Sequence, residues 1–180
     1  MEKTANVTVV IPNYNGIKYI DNCLKSLIDG ETVPEIIVVD NGSRDGSAEI
    51  VEKKYPMCRL VRFKENQGFC HAVNEGIRLA GTEYIILLNN DTIVDTKMVS
   101  RLVKSIRNKR KAFSVAAKMI SMQNPEIIDD AGDLYCALGW AFALGKGKES
   151  HNYSSPGEIF AACGGAAIYR KNLFSVIGDF

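Results

Sequence analysis

The chain has 180 residues, of which 46% are hydrophobic and 24% are charged. This length and composition predict one soluble globular domain with a sizeable core. Twenty-two Lys and Arg side chains face 21 Asp and Glu side chains, which leaves a net charge of +1. This balance argues against a protein that binds nucleic acid through its phosphates, and against a charge-driven disordered chain.

The five cysteines include no C-x-x-C pair, so the sequence indicates neither a disulfide framework nor a zinc site. The longest weakly polar stretch, residues 134–144, is shorter than the roughly 20 residues that a membrane-spanning helix needs. We therefore expect a cytoplasmic protein. A basic run at residues 107–111 is read as a solvated helix end, with contact to the inner face of the membrane as the alternative.

Strands alternate with helices through the first 120 residues. Short β-branched runs predict strands at residues 7–11, 35–40, 59–63, 84–89 and 113–119. Apolar residues at helical spacing predict helices at residues 17–28, 47–55, 69–80 and 96–108, with Ser47 as a helix cap. This order is typical of an α/β protein with a mostly parallel central sheet covered by helices on both faces.

The pattern becomes irregular after residue 120. Residues 121–153 contain glycine-rich stretches and no clear period, so we predict a long irregular insert with one hairpin or helix. A strand at 162–170, entered through Gly164 and Gly165, and a short helix at 172–177 follow. In a parallel sheet, ligands bind beyond the carboxyl ends of the strands, which is therefore where candidate site residues are sought.

The ends of the first two strands carry an aromatic ring and hydrogen-bonding side chains. Tyr14 follows the first strand, and Asp40 and Asn41 follow the second. A ring together with amide and carboxylate groups suits a planar base and a ribose. The alternative is an ordinary surface turn, because Asn, Asp and Gly are common turn residues.

Asn89, Asn90 and Asp91 follow the fourth strand. A carboxylate at this position suits Mg²⁺ or Mn²⁺, which often take one or two protein carboxylates and complete their shell with substrate phosphates. The alternative is a capping turn before the next helix. Because Asp95 can cap that helix, the turn reading leaves Asp91 unexplained.

Two further segments carry candidate ligand-binding residues. Asn66 and Gly68 precede a helix that carries Asn74, and a helix N-terminus after glycine favours a phosphate; the alternative is an ordinary loop before a helix. Residues 41–52, with Asp45 among the acids, imitate an EF-hand loop. An EF-hand needs a preceding helix, whereas here a strand precedes the loop, so calcium binding is disfavoured.

Several motifs follow each other in an order that resembles a known family. They are VTVVIPNYNG, EIIVVDNGSRDGS, NQGFCHAVNEGI, YIILLNNDT and CGGAAIYRKNLFSVIGDF. The chain resembles the family 2 glycosyltransferases of the GT-A fold, and within them the bacterial rhamnosyltransferase-like branch with an Asn-Asn-Asp motif. The resemblance implies an inverting transfer of a sugar from a dTDP- or UDP-sugar to an acceptor hydroxyl in cell-surface polysaccharide or glycolipid synthesis.

The resemblance also implies roles for the nucleotide-binding residues. Tyr14 would stack on the base, with Pro12 shaping its pocket. Asp40 or Asn41 would hydrogen-bond the base or ribose. The loop and helix residues that would line the nucleotide or sugar side are Asn66, Gly68 and Asn74.

The same resemblance assigns the metal and sugar regions. Asn89, Asn90 and Asp91 would take the place of the family's Asp-x-Asp motif, with Asp91 as the ligand of Mg²⁺ or Mn²⁺. The donor-sugar and acceptor region would be lined by Gly164, Gly165 and Ala166. The implied partners are a nucleoside diphosphate sugar and a carbohydrate or lipid-linked sugar acceptor.

One departure from the family affects the expected activity. The catalytic base of relatives lies shortly beyond the Gly-x-Phe segment, which here is residues 178–180. We therefore expect one GT-A domain, with a nucleotide-sugar half at 1–120 and an incomplete, C-terminally truncated acceptor half at 121–180. Apolar surface left uncovered would favour homo-oligomers. The alternative function is a nucleotide-sugar-binding module without transferase activity.

Overall fold

The structure is a computed structural model, and it describes residues 6–180. Up to residue 108, strands and helices alternate as the sequence predicts. In chain order they are β1 (Val7–Asn13), α1 (Ile20–Ile28), β2 (Glu35–Asp40), α2 (Ser47–Lys54), β3 (Arg59–Arg62), α3 (Phe69–Leu79), β4 (Tyr84–Leu88) and α4 (Met98–Asn108).

Shorter strands dominate the remainder of the chain. In order, the elements are β5 (Ser114–Ala116), β6 (Met119–Ile120), β7 (Ile128–Asp130), β8 (Asp133–Tyr135), β9 (Ala141–Ala143), a 3₁₀ turn (Ser150–Tyr153), β10 (Ala166–Arg170) and α5 (Lys171–Ile177).

The central sheet has six strands in the order β3-β2-β1-β4-β10-β5. Strands β1 to β4 are parallel to one another, and β10 runs antiparallel to both of its neighbours. The mostly parallel sheet is therefore confirmed. The register places Asn13 opposite Asp40, so β1 and β2 end at the same level of the sheet.

Helices cover both faces of the sheet, as predicted. Consecutive residues of β4 point to opposite faces, so Ile86 packs into the core beneath α1, α2 and α4, and Leu87 packs into the core beneath α3. Both side chains are fully buried. Burial of such a side chain stabilises the fold by roughly 1.5–3 kcal/mol, so β4 is an anchor for both layers.

The ends of three helices differ from the prediction because loop hydrogen bonds compete with the helix. Helix α1 begins at Ile20 rather than residue 17, since the amide of Ile17 donates to Asp45 Oδ2 at 2.8 Å. Ser47 is the first residue of α2 rather than its cap. Its amide donates to Asp45 Oδ1 at 3.0 Å. Helix α4 begins at Met98, two residues later than predicted, since the amide of Lys97 donates to Asp95 Oδ1 at 3.0 Å.

The region after residue 113 differs more. The predicted strand at 113–119 is two strands, because β5 ends at Ala116 and Met119 pairs with Asp130 in a separate sheet. The predicted irregular insert contains two small antiparallel sheets, β6-β7 and β8-β9, and the 3₁₀ turn, rather than one hairpin or helix. Strand β10 begins at residue 166 rather than 162.

Helix length bears on membrane insertion. Helices α3 and α4, the longest in residues 6–180, have 11 residues each. A helix needs about 20 residues to cross a bilayer. Within the described part of the chain, no helix combines the length and apolar character needed to span a membrane.

Candidate functional site

A cleft of about 340 Å³ lies at the carboxyl ends of β1, β2 and β4. This is the edge at which the sequence predicts the site. The strand-end and loop residues that line the cleft are Pro12, Asn13, Tyr14, Asn41, Asn66, Phe69, Asn89, Asn90 and Asp91. Most of the predicted nucleotide-binding residues are therefore brought together, and Asn13 and Phe69 are additions.

The loop that carries Tyr14 is fixed by a second loop. The Asn15 amide donates to Ser43 Oγ at 2.9 Å, and Asn15 Oδ1 accepts the amide of Arg44 at 3.0 Å. Asn15 has a φ of +50°, a left-handed conformation that Asn tolerates better than most residues. This arrangement leaves the Tyr14 ring half exposed on the cleft wall.

Asp40 is placed behind the cleft rather than in its wall. The side chain is buried, and its Oδ1 accepts Asn13 Nδ2 at 2.8 Å. Its Oδ2 accepts the amide of Ser43 at 3.1 Å. The carboxylate therefore holds the ends of β1 and β2 together, and contact with a base or ribose stays a prediction.

Asn41 lines the cleft, but its side-chain hydrogen bonds go to the protein. Its Nδ2 donates to Asn66 Oδ1 and to the carbonyl of Gly68, both at 3.0 Å. Its Oδ1 accepts the amide of Gln67 at 2.8 Å. Gly42, with a φ of +76°, lies so close to the backbone of Glu65 that a Cβ would overlap it. Asn41 therefore clamps the loop before α3 to the end of β2.

The loop before α3 also presents an aromatic ring that the sequence reading missed. Asn66 Oδ1 accepts the amide of Gly68 at 2.9 Å, and Gly68 itself has a φ of +91°. Phe69 comes next and is half exposed on the cleft wall. Its helical spacing to buried Val73 favours a core position, so periodicity gives no sign of its exposure.

Asn74 is not brought to the cleft. Its Nδ2 donates to the carbonyl of Phe180 at 2.9 Å, and its Oδ1 accepts the amide of Phe180 at 3.1 Å. Both ends of the amide therefore bind backbone. The structure thus places Asn74 against residue 180 and outside the wall of the cleft, and its role on the nucleotide or sugar side stays a prediction.

The Asn89–Asp91 segment forms a tight turn at the end of β4. Thr92 Oγ1 donates to the carbonyl of Asn89 at 2.7 Å, and Asn90 Nδ2 donates to Asn13 Oδ1 at 2.7 Å. Cys23 lies buried beneath the turn. Burial is the main cause that raises the pKa of its thiol to about 11, and the charge of Asp91 adds to the effect.

Asp91 itself is exposed, and among residues 6–180 its carboxylate has no hydrogen-bond donor. No cluster of three or more His, Cys, Asp or Glu side chains suited to a metal occurs in the same range. A free carboxylate on an open wall fits a hard divalent ion that takes its other ligands from water and phosphate. Asn89, whose amide oxygen is a second candidate ligand, lies beside it in the cleft.

The predicted sugar region lies next to this turn. The amide of Asn89 donates to the carbonyl of Gly165 at 2.9 Å, and Ala166 pairs with Leu88. A Cβ on Gly165 would lie 3.5 Å from Asn89 Nδ2, an ordinary contact distance. Packing within the chain therefore does not require glycine here, and Gly164 is similarly open.

The acids of the insert lie away from the cleft. Burial, and secondly the charge of Asp130, raise the pKa of Asp133. Asp130 Oδ1 accepts the amide of Gly132 at 2.6 Å, and Asp129 lies 3.8 Å from Lys146 Nζ. None of the three acids lines the cleft, so the described residues provide no candidate base there apart from Asp91.

Curated relatives cover the chain in full or in part. The poly-β-1,6-N-acetyl-D-glucosamine synthase of Staphylococcus epidermidis is 25% identical over 182 residues, which is 98% of this chain and 42% of that protein. The glycosyltransferase GlyG of Streptococcus pneumoniae is 36% identical over 108 residues, or 57% of this chain and 36% of that protein. The chain thus spans less than half the length of these relatives.

Solved structures share the fold. A mannosyltransferase (PcManGT) of Pyrobaculum calidifontis, in complex with GDP-Man and Mn²⁺, aligns with a TM-score of 0.70 at 19% identity, covering 99% of this chain and 48% of that one. S. aureus TarS in complex with UDP-GlcNAc aligns with a TM-score of 0.65 at 22% identity, covering 95% and 47%. The fold is therefore of the GT-A type.

The sequence profile of the glycosyl transferase family 2 matches residues 8–178. The match includes all residues that line the cleft and, except for Val7, all residues of the central sheet. The chain belongs to the glycosyl transferase family 2.

Proposed function

We propose that the cleft binds a nucleoside diphosphate sugar together with a divalent cation, and that the protein transfers the sugar to an acceptor hydroxyl with inversion. The observation that carries this proposal is the composition of the cleft. Two half-exposed rings, Tyr14 and Phe69, share one cavity with the free carboxylate of Asp91.

The rings and the clamped loops suit the nucleoside. An aromatic ring offers a flat apolar face to a base, and stacking on it is typically worth about 1–3 kcal/mol. Tyr14 and Phe69 are carried by loops that hydrogen bonds from Asn15 and Asn41 hold in place. The base therefore meets a preorganised wall, which lowers the ordering cost of binding.

The carboxylate suits the diphosphate. Asp91 would hold Mg²⁺ or Mn²⁺, with Asn89 beside it. A bound divalent cation neutralises the charge that develops on the diphosphate as the bond to the sugar breaks. The Mn²⁺ and GDP-Man in the PcManGT complex support this assignment for the fold, as does the UDP-GlcNAc bound to TarS.

The acceptor would attack the anomeric carbon from the face opposite the diphosphate, and its proton would pass to a carboxylate base. We propose that residues 1–120 form the nucleotide half, and that the segment around Gly164, Gly165 and Ala166 begins the acceptor half. The polysaccharide synthase among the relatives supports a carbohydrate or lipid-linked sugar acceptor. The rhamnosyltransferase-like branch and the dTDP- or UDP-linked donor remain predictions.

One observation favours the second candidate function, a binding module without transfer. Asp91 is the only acid that lines the cleft in residues 6–180, and it is assigned to the cation. Deprotonation of the acceptor needs a separate base. Donor binding without turnover is therefore the behaviour expected of a chain that lacks such a base.

Calorimetric titration tests the proposal. UDP, dTDP and GDP are titrated into the chain with and without Mn²⁺, and the titrations are repeated on Asp91→Ala. We expect Mn²⁺ to strengthen binding of one nucleotide at least tenfold, and Asp91→Ala to abolish that gain, since loss of even an outer-shell partner of a metal ligand typically costs 10–100-fold in metal affinity. Asp129→Ala, which removes an acid outside the cleft, is the matched control and should bind like the wild type.

Two outcomes would count against the proposal: no nucleotide binding in the presence of Mn²⁺, or binding that Asp91→Ala leaves unchanged. A separate assay measures the nucleoside diphosphate released from UDP-GlcNAc and GDP-Man when a carbohydrate acceptor is added, because without an acceptor only hydrolysis of the donor can release it. Release supports the transferase, while binding of the nucleotide sugar without release supports the binding module.

A further inference from the structure

The amide of Asn13 lies at the junction of three strand ends and is fully buried. Its Nδ2 donates to Asp40 Oδ1 at 2.8 Å and to Ser47 Oγ at 2.9 Å, with Ser43 Oγ at 3.3 Å. Its Oδ1 accepts Asn90 Nδ2 at 2.7 Å. One side chain therefore connects the ends of β1 and β2 and the start of α2 to the turn after β4.

The chemistry of the partners fixes the direction of every bond in this network. An ionised carboxylate such as Asp40 only accepts, so Asn13 must turn its NH₂ group toward it. Ser47 Oγ donates to Asp45 Oδ1 at 2.6 Å, so it too accepts from Asn13. The carbonyl oxygen of Asn13 is then left for the fourth partner. Residue 90 must consequently be a donor.

Gly16 leaves the space for this pair of amides. A Cβ at position 16 would overlap both Asn90 Nδ2 and Asn13 Oδ1. The φ of Gly16 is not in the left-handed region, so the constraint there is space rather than backbone conformation. The backbone of the loop after β1 therefore closes over the Asn13–Asn90 bond.

We infer that Asn13 and Asn90 form a positioning pair that sets the location of the Asp91 carboxylate, and that this strut, made by the Asn90 NH₂ group, is the contribution of Asn90 to cation binding. This inference rests on the proposed function, in which Asp91 holds that cation. Asn90 has its NH₂ group committed to Asn13, and the Thr92 bond to the Asn89 carbonyl closes the turn on the other side. Asp91 is thus carried by a turn that is held on both sides.

The positioning pair predicts an effect of Asn90→Asp on cation binding that is opposite to the effect expected if residue 90 were a metal ligand. If residue 90 were a ligand, Asn90→Asp would add a carboxylate and strengthen cation binding. As a strut, Asn90→Asp places a second acceptor against Asn13 Oδ1, which cannot turn around because Asp40 requires its NH₂ group. The variant should therefore weaken cation binding although it adds negative charge.

The test measures the gain in affinity that Mn²⁺ gives to UDP, dTDP or GDP, whichever binds the wild type most tightly. We expect Asn90→Asp, Asn90→Ala and Gly16→Ala to reduce that gain roughly tenfold each, as expected for loss of a supporting hydrogen bond around a metal ligand. Because the gain is the ratio of two affinities of the same variant, a defect that weakens nucleotide binding equally with and without Mn²⁺ leaves it unchanged and is thereby distinguished from loss of the pair. Asn152→Asp, an exposed position in the 3₁₀ turn, is the charge-matched control and should behave like the wild type.

A ligand-free measurement tests the bond itself. Urea unfolding of Asn13→Ala, Asn90→Ala and the double variant forms a double-mutant cycle. The coupling should change the unfolding equilibrium constant roughly tenfold, the usual size for one hydrogen bond. If Asn13→Ala does not fold, the Mn²⁺ measurements on Asn90→Asp, which leave Asn13 in place, test the pair.

The outcomes distinguish failure of the proposed function from failure of the positioning pair. A wild-type chain that binds none of the three nucleotides with Mn²⁺ overturns the proposed function and, with it, the cation role of Asp91. Intact wild-type binding combined with additive unfolding energies, or with tighter Mn²⁺-dependent binding by Asn90→Asp, overturns the positioning pair alone.

Discussion

Two regions of this chain differ in which side chains they bury. In residues 7–91, strands β1, β2 and β4 are buried on both faces, and even the polar residues at strand ends, such as Asn13 and Asp40, are nearly inaccessible. In the insert between β5 and β10, residues 117–165, Trp140 is 65% exposed and Phe160 is 71% exposed. Large apolar side chains are therefore exposed to solvent in the insert, whereas in residues 7–91 even polar side chains are buried.

The difference lies in what each region can pack against. Strands β1 to β4 have four to seven residues and belong to the six-stranded sheet, which helices cover on both faces. Strands β6 to β9 have two or three residues, and each belongs to a two-stranded sheet. Isolated two-stranded sheets are marginal. The strand-end cleft therefore rests on the rigid region, as a preorganised site requires.

The largest effect should come from a pair of Leu→Ala substitutions. Leu87 in β4 is fully buried, whereas Leu134 in β8 is 42% exposed. We expect Leu87→Ala to lower the free energy of unfolding by about 2–5 kcal/mol, because it leaves a cavity in the core. Leu134→Ala should change it by no more than about 0.5 kcal/mol. Urea unfolding measures both, and similar losses would remove the distinction between the regions.

A smaller effect should separate two asparagines. Asn41 is buried with three side-chain hydrogen bonds, while the exposed Asn124 accepts one from the amide of Glu126 at 3.2 Å. Asn41→Ala should cost about 1–3 kcal/mol of unfolding free energy, because it leaves buried groups without partners. Asn124→Ala should cost no more than about 0.5 kcal/mol. Equal costs would contradict the clamp assigned to Asn41.

The smallest effect concerns acid pH and has opposite signs in the two regions. Partial burial acts to raise the pKa of Asp45, but hydrogen bonds from Ser47 and Ile17 outweigh it, so the pKa is lowered on folding. Asp45 therefore stabilises the fold above its unfolded pKa of about 4, and this is lost as pH falls. Burial raises the pKa of Asp133, so its contribution is present at low pH and is lost as pH rises.

Unfolding free energies at pH 3 and pH 6 test these signs. Asp45→Asn should reduce the loss of stability on acidification relative to the wild type. Asp133→Asn should increase the gain in stability between pH 3 and pH 6. A change in the same direction for both variants would contradict the opposite pKa shifts assigned to Asp45 and Asp133.

Asp45→Ala should leave the effect of Mn²⁺ on nucleotide binding intact. The carboxylate oxygens of Asp45 accept hydrogen bonds from Ile17 and Ser47, so we do not expect them to ligate an ion as an EF-hand loop would.

The sequence predicts the first region well because its signals are local. Buried strands such as 35–40 read as continuous β-branched runs, and the helix at 69–80 shows a clear period. In the insert, a strand of two residues such as Met119–Ile120 is too short to show any period. Its pairing with β7 depends on contacts that no local pattern contains.

The site divides in the same way. The strand-end position of Tyr14 and Asp91 follows from topology, so both reach the cleft as predicted. The partners of buried amides do not follow from any pattern, because Asn74 binds Phe180, 106 residues away, and Asn13 binds Asn90 across 77 residues. Sequence reasoning thus finds the edge of the sheet where the site lies, and the hydrogen-bond network decides which side chains remain free for a ligand.

We propose that the strand-end cleft, and not the insert, binds a nucleotide with its cation. Paramagnetic broadening by Mn²⁺ in ¹H–¹⁵N spectra of the chain with bound nucleoside diphosphate tests it most directly. We predict that amides around Tyr14, Asn66 and Asp91 broaden while those around Trp140 do not, and that Asp91→Ala removes the effect. Broadening centred on the insert, or broadening that persists in Asp91→Ala, would contradict the account.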